Sequence, residues 1–64
     1  MRILREKRLN HELMNGVSLQ ELYEYNVNLR EQLLDNDRLL QSIDVQKDIN
    51  ILLEWIELDK NNKL

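Results

Sequence analysis

The chain has no cysteine, proline, alanine, threonine or phenylalanine, and a single glycine, Gly16, among its 64 residues. Each absence excludes something. Without cysteine, and with His11 as the one imidazole, disulfides and structural metal sites are removed from the usual reinforcements of a small domain. Oligomerisation or partner binding is left, because a chain this short buries only about 60% of its unfolded surface when it folds alone. Strand-forming composition is missing as well, since Val17, Val27 and Val45 are the only valines and threonine is absent. Fourteen leucines, no proline and a third of residues charged predict an all-α chain. With no alanine, the helices pack leucine and isoleucine across roughly 8 to 10 Å. No run approaches the roughly 18 apolar residues of a membrane span, and the N-terminus lacks an apolar signal region, so a soluble, cytoplasmic protein is expected. The missing cysteine agrees with a reducing compartment.

The most apolar stretch is Ile49 to Leu58, INILLEWIEL. On a helix, Lys47, Asn50, Glu54 and Glu57 fall in one narrow polar stripe, and Ile49, Ile51, Leu52, Leu53, Trp55, Ile56 and Leu58 occupy the rest. Such a helix needs cover on most sides. What supplies the cover is the functional question.

From the N-terminus, residues 2–14 carry a loose helical pattern with Leu9 and Leu13 as its clean i, i+4 pair, and Asn15-Gly16 supplies a helix stop. Ser18-Leu19-Gln20-Glu21 then matches a capping box, with Val17 and Leu22 placed as a hydrophobic staple. The second helix runs on from Ser18 with a seam of Leu19, Leu22, Asn26, Leu29, Leu33, Asn36, Leu40 and Ile43 in steps of three and four. Asn26 and Asn36 either select register within that seam or lie at the edge of a broader face with Tyr23, Val27 and Leu34. Past Ile43 the phase changes to Val45, Ile49, Leu52, Leu53 and Ile56, which no whole number of heptads reaches from Leu40. Ser42 and Asp44 are competent N-caps, so the break is expected at residues 41–44, with Asp35-Asn36-Asp37 as the competing position. The expected architecture is therefore a small three-helix or helical-hairpin bundle in one domain, 1–64. Its helices lie at about 2–14, 18–41 and 44–60, residues 61–64 form a frayed tail, and dimerisation completes the bundle.

Charge is unevenly placed. Residues 1–10 hold Arg2, Arg5, Lys7 and Arg8 against Glu6, whereas residues 35–59 hold Asp35, Asp37, Asp44, Asp48, Glu54, Glu57 and Asp59 against Arg38 and Lys47. The basic group has helical spacing for phosphate contact, which makes Arg2, Arg5, Lys7 and Arg8 candidates for nucleic-acid binding. The competing expectation is pairing with the acidic end of a neighbouring or symmetry-related chain. Asn10 and His11 are the only nearby base-reading candidates, and the following helix presents Glu21, Glu24 and Glu31, an unfavourable charge for a recognition helix.

Nothing carries catalytic chemistry. His11 has no companion set for zinc, and Asp35-Asn36-Asp37 opens like a calcium loop but places Leu40 where glycine is required and Gln46 where glutamate is required. The pairs Glu21 with Glu24 and Glu54 with Glu57 share helix faces but have no burial to separate their pKa values. No enzyme activity, cofactor or metal is expected. Tyr23, Tyr25 and Trp55 are the only aromatics and are natural interface anchors. Tyr23 and Tyr25, two residues apart on a helix, cannot both face one core.

The sequence thus reads as a small regulatory or adaptor protein, of the kind phages and mobile elements encode. It would act as a homodimer that binds another, unidentified protein. Ile51, Trp55 and Leu58 are the expected contact flank, with Tyr23 and Tyr25 beside it. A dimeric nucleic-acid binder and a subunit of a larger coiled-coil assembly are the alternatives.

Overall fold

Local chemistry sets the three helix boundaries. The computed structural model describes residues 2–62, in which α1 spans Arg2–Met14, α2 spans Leu19–Asp35 and α3 spans Leu39–Asn62. There is no strand among the described residues. Gly16 follows α1 with φ at +97° and donates its N–H to the Leu13 carbonyl at 3.1 Å. That left-handed turn is the reason for the single glycine.

Ser18 caps α2 from extended backbone, its hydroxyl accepting the Glu21 N–H at 3.1 Å. This is one half of the capping box, the half made by the Glu21 backbone N–H. Val17 packs half-buried against the same cluster as Leu22, where a hydrophobic staple places it.

The second break differs from the position favoured by hydrophobic phase. α2 stops at Asp35 rather than near 41, and α3 starts at Leu39 rather than near 44. The cause is backbone chemistry at the three turn-forming residues. Asp37 takes φ +58°, its N–H reaches the Leu34 carbonyl at 3.1 Å, and the Arg38 N–H reaches the Leu33 carbonyl at 2.8 Å. Those two bonds are a Schellman motif, which closes a helix and tolerates Asp in the left-handed position. Ser42 and Asp44 are not caps. The Ser42 hydroxyl bonds back to the Leu39 carbonyl at 2.7 Å inside α3, and the Asp44 carboxylate is taken by Arg5. The helix also runs past 60, so Asn61 and Asn62 of the expected tail belong to α3, while Lys63 and Leu64 lie outside the described residues.

A three-residue link makes α2 and α3 an antiparallel hairpin, the best-packed pair of the fold. At 13 residues, α1 is only about 20 Å long by helical rise, against a molecule 41 Å in its longest dimension. It therefore covers one side of the lower part of the hairpin. Leu9, Leu22, Ile51 and Leu52 form the core where the three helices meet, with Leu13, Leu19, Tyr23 and Trp55 packed against it.

Candidate functional site: two unlike faces of one hairpin

α1 is held to α3 by charge as well as by Leu9. The Arg2 guanidinium pairs with Glu6 of its own helix at 2.6 Å and with Glu54 across the interface. Arg5 pairs with Asp44 and, at 3.2 Å, with Asp48, and also donates to the Asp44 carbonyl at 3.1 Å. Arg8 reaches the other Asp48 oxygen. Asp48 itself is buried at 4% exposure, an arrangement tolerable only because two guanidiniums satisfy its carboxylate. These bonds hold the Asp44 and Glu54 carboxyls below the usual carboxylate range and raise the Arg2 and Arg5 guanidiniums, in each case first through the side-chain hydrogen bonds. Of the four basic residues singled out for nucleic acid, Lys7 alone has no acidic partner among the described residues. Within this chain the acidic partners of the three arginines lie on α3, with Glu6 of α1 beside Arg2.

That docking changes the expected contact flank. Ile51 is a core residue at 3% exposure in the cluster that includes Leu9 of α1, and so is not open to a partner. Its neighbours on the surface of α3 supply the reason, since their carboxylates neutralise the arginines and let α1 lie down. Trp55 and Tyr23 are half-buried against the core, whereas Leu58 and Tyr25 are exposed at 59% and 64%. The structure therefore does not bring the five residues into one flank.

It brings together two other surfaces. The first is the side of the hairpin opposite α1. There Tyr23, Val27, Arg30 and Leu34 follow one stripe of α2, and Leu39, Ile43, Gln46, Asn50 and Leu53 follow one stripe of α3 by steps of three and four. Arg30 donates to the Gln46 side chain and Gln46 donates to Asn50 at 2.9 Å, which ties the two stripes edge to edge. Toward the turn, Leu34, Leu39 and Ile43 are exposed at 42%, 62% and 54% with no third helix over them. Tyr23, Val27 and Leu34 are the broader face weighed from the sequence as the alternative to the seam, whereas Leu39 lies outside both readings, which carry one helix through what is a turn.

The second surface is an open groove of about 620 Å³ on the α1 side. Leu9, Leu22 and Val45 form its buried floor, Leu29 and Val17 its half-buried ends, and Tyr25 its wall. Asn26 lies within it, buried, its amide donating to the Leu22 carbonyl at 2.8 Å. Glu12 and Glu21 stand on its lip.

Comparison with known protein families, characterised proteins and solved structures finds no match for this chain. No helix among the described residues is long and apolar enough to cross a membrane. Among the same residues, no group of three or more potential ligands is gathered to hold a metal ion.

Proposed function

We propose that this chain is a small regulatory or adaptor protein that works by binding protein, and that it assembles as a homodimer through the face of the α2–α3 hairpin opposite α1. The observation that carries the reading is the exposed run Leu34, Leu39 and Ile43. These leucines and isoleucine sit on one face of two antiparallel helices, the geometry that a second identical hairpin completes into a four-helix bundle. Their uncovered area is on the order of 300 Å², the size of the largest apolar patch on a typical monomer, a patch that is often functional. The polar middle of the same face, Arg30 with Gln46 and Asn50, would fix the register of the pairing.

Nucleic-acid binding is the weaker reading. A protein binds phosphate by neutralising it with free cations, and Arg2, Arg5 and Arg8 already neutralise Glu54, Asp44 and Asp48.

Sedimentation velocity on the full chain tests the dimer. At about 50 µM the wild type should sediment as a dimer and the Leu39→Glu, Ile43→Glu double variant as a folded monomer. A wild-type monomer at that concentration, with unchanged helicity, would remove the proposal.

A further inference from the structure

We infer that the groove on the α1 side takes about two turns of a basic amphipathic helix from another protein. The inference rests on reading the chain as a protein-binding module, but not on its dimerisation, which uses the opposite face.

Shape comes first. Along α2 the groove runs from Glu21 to Leu29, eight residues or about 12 Å of helix. A guest helix laid along that length presents three side chains, at i, i+3 or i+4, and i+7, which is the anchor spacing of helix-in-groove recognition. The volume of about 620 Å³ accommodates three or so large aliphatic side chains. Three apolar walls already exist, from α1, α2 and α3, so the guest completes a local four-helix arrangement without rearranging its host.

Charge selects the guest. Five ionised groups line the groove: Arg8, Glu12, Glu21, Asp44 and Asp48. Asp44 and Asp48 are occupied by Arg5 and Arg8. Glu12 on α1 and Glu21 on α2 have no cationic partner among the described residues and flank the apolar floor from two different helices. Their complement is a lysine or arginine on each shoulder of an apolar stripe. A second copy of this chain fits less well, because the arginines of its own α1 are already spent on α3. Tyr25, exposed at 64% on the groove wall, offers the ring and hydroxyl expected of an anchor.

The test uses the full chain carrying Leu39→Glu and Ile43→Glu, so that self-association through the other face does not enter. Two synthetic helical peptides of about 15 residues serve as probes, each with leucine at i, i+4 and i+7. One has lysines flanking the leucines and the other has glutamates. Fluorescence anisotropy should show the lysine peptide binding at least tenfold tighter, since two shoulder contacts change from attraction to repulsion between the probes. Glu12→Lys with Glu21→Lys should reverse that preference, and Tyr25→Ala, at an exposed position, should weaken the lysine peptide about tenfold while leaving helicity unchanged. In two-dimensional amide spectra, binding should shift Leu22, Leu29 and Val45. Equal affinity for both peptides, shifts centred on Leu34 instead, or no binding at about 1 mM would each overturn the inference. So would concentration-dependent shifts of Tyr25 and Val45 without peptide, which would place a second copy in the groove. Dimerisation of the wild type is read separately by sedimentation, so either proposal can fail alone.

Discussion

Leu52→Ala probes the point where the three helices meet. Among the described residues Leu52 is the one large side chain with no exposed surface, at 0%, and it shares its cluster with Leu9, Leu22 and Ile51. Truncating a buried leucine costs about 2 to 5 kcal/mol, and the cost rises with the cavity that the surroundings cannot close. Here the surroundings are three helices that the turns at Gly16 and Asp37 hold in place, so about 3 to 4 kcal/mol is expected. A chain of this length has roughly 3 to 10 kcal/mol of stability in total. The loss should therefore lower the melting temperature by about 15 to 30 °C, at 4 to 8 °C per kcal/mol. Urea and thermal unfolding followed by far-UV circular dichroism would measure it. Leu58→Ala is the internal control. It removes the same atoms from a side chain 59% exposed on the same helix and should stay within about 0.5 kcal/mol of wild type. If the two variants differed by less than about 1 kcal/mol, the three-helix core would not be where the packing places it.

Two further predictions concern charge and backbone. The Asp44 and Glu54 carboxyls lie below the usual range in the folded chain because Arg5 and Arg2 donate to them, and they return to that range on unfolding. The unfolded chain thus binds more protons in the interval between, so the stability from these pairs is complete at neutral pH and is lost progressively as pH falls from about 4 down through the lowered folded-state values. Thermal melts from pH 7 to pH 2.5 should show that decline, and Asp44→Asn with Glu54→Gln should flatten it; an unchanged slope would contradict the pairing. The two left-handed residues should respond with opposite signs. Gly16→Ala meets no atom within 4 Å, so its cost is conformational, at φ +97°, and should be about 1 to 2 kcal/mol. Asp37→Gly relieves a non-glycine residue at φ +58° and should be neutral or stabilising by up to about 1 kcal/mol. Chemical denaturation compares them directly, and destabilisation by Asp37→Gly as large as that by Gly16→Ala would exclude the Schellman turn.

The all-α class, the first helix and the cap at Ser18 were legible in the sequence because each rests on local chemistry. Gly16 can supply the left-handed turn with no Cβ strain, and Ser18 stands three residues before Glu21 whatever the tertiary structure does. The second break was harder to place because two local rules disagreed. Asp35, Asn36 and Asp37 lower helix propensity, while Leu39 and Leu40 keep the leucine phase running through them. Periodicity detects which residues share a face but not whether one residue between them has changed the sign of φ. Ser42 and Asp44 then offered plausible caps whose side chains are engaged elsewhere, by Leu39 and Arg5. The groove could not be read at all, since Leu9, Leu22 and Val45 come from three helices whose packing no local pattern specifies. The opposite signs of the chain's two ends were visible; that they meet within one chain depends on where the turns fall.

The ion pairs and the apolar contacts of α1 do different work. Exposed pairs of the Arg2–Glu54 kind contribute little to stability, because solvent screens them and side-chain entropy opposes them. Burial of Leu9 and half-burial of Leu13 provide the attraction. What the arginines provide is position. Arg2, Arg5 and Arg8 occur every three residues along α1 and meet carboxylates at 54, 44 and 48 on α3, so a slide of one helical turn would part Arg2 from Glu54, although Asp44 and Asp48, one turn apart, would still meet Arg5 or Arg8. The same register puts Glu12 beside the groove rather than over it and leaves the opposite side of the hairpin bare. α1 thus covers its apolar partner in one place only. The two open surfaces follow from that restriction: the apolar patch of Leu34, Leu39 and Ile43 on one side of the hairpin, and on the other a groove whose lip carries Glu12 and Glu21.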